Sequence, residues 1–249
     1  MRNKEIIGKV FKTRCSGDLV VTEYINNRSV YVKFLETGYT TITDLVQIKK
    51  GNVKDRILPS VYGVGILGDA STFDEYGKKL KTCHLWYNVL RRCYSVIAME
   101  KHPTYKGCTV SDSFKYYPYF KEWCEKQVGF NQEGWHLDKD IISKGNKVYS
   151  EDTCCFVPIE INNLFTKRNK LRGDYPIGVW YNDGKFVSSL CRAGEKRKYL
   201  GVFTTEVEAF QAYKQAKEAY IKEIANKWKD QIDPRTYEAL MSYEVEITD

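Results

Sequence analysis

What the sequence lacks narrows its class first. No run of ~18 apolar residues is present, so nothing in the chain reads as a membrane-spanning helix. The opening MRNKEIIGKVFKTRCSGD breaks its apolar stretches with Gly8, Lys9 and Lys12 and contains no secretory segment. The chain is therefore expected to be soluble and cytoplasmic, in a host cell if a phage encodes it, with no membrane partner. Eight cysteines are present, yet no two stand in C-x-x-C spacing, the close pairing from which structural zinc sites are built. Cys154 and Cys155 are adjacent, so on a strand they point to opposite faces and do not easily share a metal. Buried free thiols in a reducing compartment are the expectation. Six prolines and 17 glycines among 249 residues exclude collagen-like and low-complexity chains.

What is present is a globular composition, long enough for two or three domains of ~100 residues each. Tyrosine is in surplus, 19 against 11 phenylalanines and 5 tryptophans. Its ring packs while its hydroxyl hydrogen-bonds, which suits surfaces that do both. Lysine and arginine number 39 against 32 aspartates and glutamates, a net of +7, and a polyanionic partner fits that excess.

Three regions follow along the chain. Residues 1–68 read as a small all-β domain, a curled, barrel-like sheet of three to five strands. Leu19–Tyr24 and Ser29–Leu35 are rich in Val, Ile and Tyr around a turn at Ile25–Arg28, and Thr40–Ile48 adds a β-branched run. Gly63–Gly68 spells the dinucleotide fingerprint G-x-G-x-x-G, but Pro59 and Ser60 interrupt its approach and no acid stands at 83–90. It reads as a flexible linker.

Residues 72–128 read as helical. Leu80, Cys83, Trp86, Leu90 and Cys93 recur at three- and four-residue steps, and Phe114, Tyr117, Phe120 and Trp123 mark a second helix over Ser113–Lys126. Both stripes are read as core rather than as cofactor ligands. In residues 167–229, Tyr175–Leu190 forms two strands around Asn182-Asp183-Gly184, and Arg197–Phe203 a third. A helix then opens at Thr205, with Glu208 completing a capping box. This segment holds 14 Lys and Arg against 7 acids, where a nucleic-acid footprint is expected, while residues 230–249 hold one Arg and six acids. That acidic tail reads as a solvated helix end or as a mimic of nucleic acid.

Ile177-Gly178-Val179-Trp180, Lys185–Leu190, Tyr199-Leu200-Gly201-Val202-Phe203, Glu208-Ala209 and Ala212-Tyr213 follow one another in this order. Over residues 175–229 this resembles the plant ethylene-response-factor (APETALA-type) DNA-binding domain, which mobile-element endonucleases also carry. The resemblance implies a three-stranded sheet laid in the major groove of double-stranded DNA and backed by a helix. It places the contacts on the exposed sheet face, here Ile177, Trp180, Asn182, Ser189, Arg197 and Tyr199, with Lys185 beside them. Arg192, Lys196 and Lys198 join Arg197 as phosphate contacts. The plant domains carry several arginines on that face, where this sequence has Ile177, Trp180 and Asn182.

A second resemblance covers the middle of the chain. Trp86, Leu90–Tyr94, Tyr105–Cys108, Phe120, Trp123, Leu137-Asp138-Lys139-Asp140, Asn146-Lys147, Tyr149-Ser150, Cys155–Pro158 and Asn162-Asn163 together resemble phage and mobile-element proteins related to HNH endonucleases. It implies a ββα hairpin around one divalent metal, Mg²⁺ or Mn²⁺, with a histidine on the first strand as general base. Many of those nucleases carry Asp-His where this sequence has Asp138-Lys139. A lysine ordinarily stays protonated at neutral pH, takes no proton from water and repels a cation. Two readings stay open. In one, His136 is the base, and Asp138, Asp140 and Asn162 hold the metal, the first three sharing one strand face. In the other, the hairpin is a degenerate scaffold. His84 and His102 stand in no motif spacing and are read as structural.

The predicted chain is α+β: a β-barrel-like domain over 1–68, a helical region with an HNH-like (ββα) hairpin over 72–166, a three-stranded sheet plus helix over 170–229, and the tail 230–249. Three functions fit. The first is a phage or mobile-element DNA-binding protein with an HNH-derived centre, active or not. The others are a metal-dependent homing-type or nicking endonuclease, and a phage protein that binds and inhibits a host defence protein.

Overall fold

The computed structural model describes residues 4–166 and 174–248. It is mixed α+β, and the chain divides into two compact units, residues 1–122 and 123–249. The module boundary expected near residue 170 lies outside the described residues. Among the described residues no helix is long and apolar enough to cross a membrane.

The first unit opens with strands β1 (Val10–Lys12), β2 (Asp18–Asn26), β3 (Ser29–Phe34) and β4 (Thr40–Thr43), paired in chain order as an antiparallel meander. Period-two alternation turns Leu19, Val21, Val30, Val32 and Phe34 onto one buried face. The sheet is open: β1 and β4 are its edges and do not pair, so the expected barrel does not close.

The β-branched run expected through Ile48 stops at Thr43. Asp44 accepts the Gln47 N–H at 2.8 Å and starts helix α1 (Leu45–Lys50), which Gly51 ends in the left-handed conformation at φ 65°. A satisfied N-cap and a glycine C-cap outweigh strand propensity here. Leu45 and Ile48 then cover the sheet's apolar face.

Helix α2 (Lys81–Tyr94) places Cys83, Trp86, Val89, Leu90 and Cys93 inward, and α3 (Val96–Lys101) and a short strand β5 (Thr109–Val110) follow. The second expected helix is two: α4 (Asp112–Lys115) and α5 (Tyr117–Lys126), separated at Tyr116, whose extended backbone breaks the run. The aromatic stripe nevertheless packs as predicted. Trp86 Nε1 donates to the Phe114 carbonyl at 2.7 Å, and its ring lies 5.3 Å from that of Tyr117. The glycine-rich segment is packed rather than a free linker. Gly65 pairs with Val61 and approaches α2 so closely that a Cβ would stand 2.4 Å from Leu90 Cδ1.

In the second unit, β6 (Trp135–Asp138) and β8 (Cys155–Pro158) pair antiparallel, with β7 (Val148–Tyr149) in the intervening loop and α6 (Ile159–Leu164) directly after. Next come β9 (Val179–Asn182), β10 (Lys185–Leu190) and β11 (Lys198–Phe203), with β10 central. Asp183 and Gly184, both at positive φ (48° and 80°), form the two-residue turn between β9 and β10. Thr205 and Glu208 make the predicted capping box of α7 (Glu206–Trp228).

The sheet-plus-helix is not a separate module. Ile141, Cys155, Val157, Ile161 and Leu164 of the hairpin region share one core with Val179, Leu190, Phe210 and Ile221. Nor is residues 230–249 a solvated tail. Asp233 caps a further helix, α8 (Pro234–Met241), and Ile232, Leu240 and Val245 enter the same core. Of the cysteines, 83, 93, 108, 124, 154 and 155 are buried and 15 and 191 exposed; burial pushes the Cys155 thiol up to about 12.

Candidate functional site

The β6–β8 register aligns His136 with Val157 and Asp138 with Cys155, so His136 and Asp138 do share a strand face. Asp140 does not join them, because β6 ends at Asp138. The Asp138 carboxylate accepts the backbone N–H groups of Asp140 (2.8 Å) and Ile141 (2.9 Å), which turns the chain off the strand. Burial, and after it the charge of Asp140, raises the Asp138 carboxyl to about 6. The side chain of Asp140 is engaged by Lys139, whose ammonium donates to Asp140 Oδ2 and to the Asn146 carbonyl, both at 2.9 Å.

Lys139 is buried. Its ammonium lies within the loop that joins β6 to β8, 5.9 Å from the Tyr149 ring centroid. Asn146 ties that loop from the other side, donating through Nδ2 to the carbonyls of Lys139 (2.6 Å) and Val148 (2.7 Å) and accepting from Val148 N–H at 3.1 Å. His136 is exposed, and Asn162 lies half-buried on α6. Among the described residues no three His, Cys, Asp or Glu side chains gather to hold a metal ion. The expected ligands are thus spent on closing the turn: Asp138 on backbone amides, Asp140 on Lys139. This donor set, with a buried ammonium paired to one of its two carboxylates, does not fit a divalent cation.

The β9–β11 sheet has the opposite character. Directly paired residues on antiparallel strands project to the same face. The pairs Phe186 with Tyr181 and with Phe203 place Phe186 and Phe203 on the side of α7, and both pack on the core that Ala209, Phe210 and Tyr213 build. The pairs Lys185 with Asn182, Val187 with Trp180 and Val202, and Ser189 with Tyr199 define the other face. A register shift between Ser188 and Ser189 leaves Leu200 as an extra residue on β11, which lets Leu200 reach the core while Tyr199 turns outward. The Arg197 guanidinium lies over the Trp180 ring, 5.8 Å from its centroid.

Of the residues predicted to touch DNA, Trp180, Asn182, Lys185, Arg197 and Tyr199 therefore come together on one outward face, and Ser189, on the same side of β10, is buried. Lys196 is exposed in the loop before β11. Three assignments change. Arg192 is drawn to α7: its guanidinium stacks over Tyr220 at 4.7 Å and pairs with Glu223 at 3.1 Å, so it is not free for a phosphate. Lys198 pairs with Leu190, on the side of the helix. Ile177 packs against the shared core. Sequence reasoning overlooked Val187 and Val202, which make an apolar strip beside Trp180. Their signal was present as β-branched residues at the alternating positions of paired strands.

Gly178 explains how the sheet can lie so near its helix. It has φ 80°, and a Cβ there would stand 2.0 Å from Tyr213 Cδ2, so only glycine lets β9 begin beneath that ring. Comparison with known proteins identifies no relative: no family model, curated protein or solved structure matches the chain. The functional reading therefore rests on the residues and their geometry.

Proposed function

We propose that this chain binds double-stranded DNA through the outward face of the β9–β11 sheet, and that the β6–β8–α6 hairpin is a scaffold without cutting chemistry. The observation that carries the reading is the strand register. It gathers Trp180, Asn182, Lys185, Ser189 and Tyr199 on the face opposite α7. A sheet of this kind fits the major groove, where amide and hydroxyl side chains meet base edges and cations meet phosphates. The ββα order of the hairpin supports descent from a nuclease of a phage or mobile element, and the buried Lys139 pair supports the loss of its metal chemistry.

The test is the full-length chain with Trp180→Ala and Arg197→Ala together, titrated against duplex DNA at several salt concentrations. Binding about tenfold weaker or more, with an unchanged melting curve, is expected, because aromatic contact and a phosphate charge are both removed. Unchanged affinity in the folded variant removes the sheet from the interface. Supercoiled plasmid with Mg²⁺ or Mn²⁺ should stay intact. Nicking that His136→Ala abolishes would restore the endonuclease reading.

A further inference from the structure

Charge is divided unevenly between the two units. Residues 1–122 hold 20 Lys and Arg against 12 Asp and Glu, a net of +8, whereas residues 123–249 hold 19 against 20, a net of −1. The basic segment 167–229 is offset by the acids that flank it, so the whole positive excess belongs to the other unit. A field of that sign attracts polyanions over a Debye length, and the question becomes where in residues 1–122 a polyanion would settle.

A cleft of about 400 Å³ lies between β4, the chain after α1 and the first turns of α2. Among the described residues, Lys54, Arg56 and Lys79 line it and no carboxylate does. Arg56 is fixed in place, donating from Nε to the Gly68 carbonyl at 2.6 Å and from Nη2 to the Ala70 carbonyl at 2.7 Å. The Lys79 ammonium sits 4.1 Å above the centroid of the Tyr87 ring. Lys54 is exposed. Thr43, Gln47 and Asn52 stand in the same wall, with Asn52 Nδ2 donating to Gln47 Oε1 at 3.0 Å, while Ile42, Val53, Leu67 and Phe73 give the cleft an apolar floor. Cations without counter-charges beside hydroxyl and amide side chains are the lining that sugar–phosphate contacts use.

We infer that this cleft is a second DNA-binding surface, which seats the phosphate backbone of duplex DNA without reading its sequence. The inference rests on the reading that DNA is the ligand of the chain, but it concerns residues that reading does not use. In full-length protein, Lys54→Gln with Lys79→Gln should lower the log–log salt slope by about two and weaken binding about tenfold, equally for any duplex sequence. The sheet variant, Trp180→Ala with Arg197→Ala, is measured beside it. Loss in the cleft variant supports the inference whether or not the sheet variant also binds more weakly; if it does not, only the sheet reading falls. A cleft variant that binds like the parent, while the sheet variant is weakened, overturns the inference and leaves the sheet reading standing. A parent chain that does not bind duplex DNA overturns both. Acetylation footprinting of the unaltered chain gives a readout independent of mutation. Lys54 and Lys79 should be protected by duplex DNA. Equal protection by inorganic phosphate or a mononucleotide at the same phosphate concentration would assign the cleft to a small anion and overturn the inference.

Discussion

The β6–β8 hairpin and the β9–β11 sheet are both antiparallel, lie in one unit and share one core, yet they use polar side chains for opposite purposes. In the hairpin, Asp138, Lys139, Asp140 and Asn146 are consumed by one another and by the backbone of a single loop. In the sheet, Lys185, Arg197 and Tyr199 are exposed. Polar groups that satisfy each other fix a conformation, and those presented to solvent are available to a ligand. The residue types are similar in both places; only their partners tell scaffold from surface.

The most severe way to break this comparison is Gly178→Ala. The added methyl group meets the Tyr213 ring at a positive φ, so β9 must move off α7. A loss of about 3 kcal/mol or more is expected in denaturant melts of the full chain, with DNA binding falling alongside. A stable variant with parental affinity would show that the sheet does not need its close seat on the helix.

A smaller effect comes from Asp138. Its carboxyl ionises near 6 in the folded chain, against 3.8 for the ordinary group. Between those values the folded state holds more protons than the unfolded one, so stability is fully present below about pH 4 and declines as pH rises to about 6, by roughly 3 kcal/mol. Asp138→Asn keeps an acceptor oxygen for the two amides and removes the charge, and should flatten that decline. An equally steep pH profile in the variant would place the titration elsewhere.

The finest contrast pairs Asn146→Ala with Tyr199→Ala. Asn146→Ala breaks the loop clamp and should cost about 1–2 kcal/mol of stability while leaving DNA affinity at the parental value. Tyr199 is 58% exposed, so Tyr199→Ala should change stability by less than about 0.5 kcal/mol and show its effect in binding. Reversed results would exchange the roles of hairpin and sheet.

Much of the fold was legible because its signals are local. The Asn182–Gly184 turn, the Thr205–Glu208 capping box and the aromatic stripe of Trp86, Phe114, Tyr117 and Phe120 each depend on a few neighbouring residues, and each appears where the spacing put it. Where local signals competed, the expectation failed. Thr43 and Val46 favour strand, but Asp44 had a free amide to cap and Gly51 offered a stop, so the chain turned helical. The outward sheet face was legible for Trp180, Asn182 and Tyr199. Arg192 was not, since its partners Tyr220 and Glu223 lie about thirty residues away in sequence.

By itself, then, the sequence determined the α+β class, the β9–β10 turn and the opening of α7, all of them matters of residue type and short spacing. The tertiary structure alone decided that the acidic segment 230–249 joins the core, that Asp140 leaves the face of His136, and that Arg192 serves a helix. It also decided that three cations converge on a cleft without a carboxylate. The physical reason is common to all four. Each depends on which distant groups satisfy a charge or cover an apolar side chain, and that choice is made only when the whole core closes.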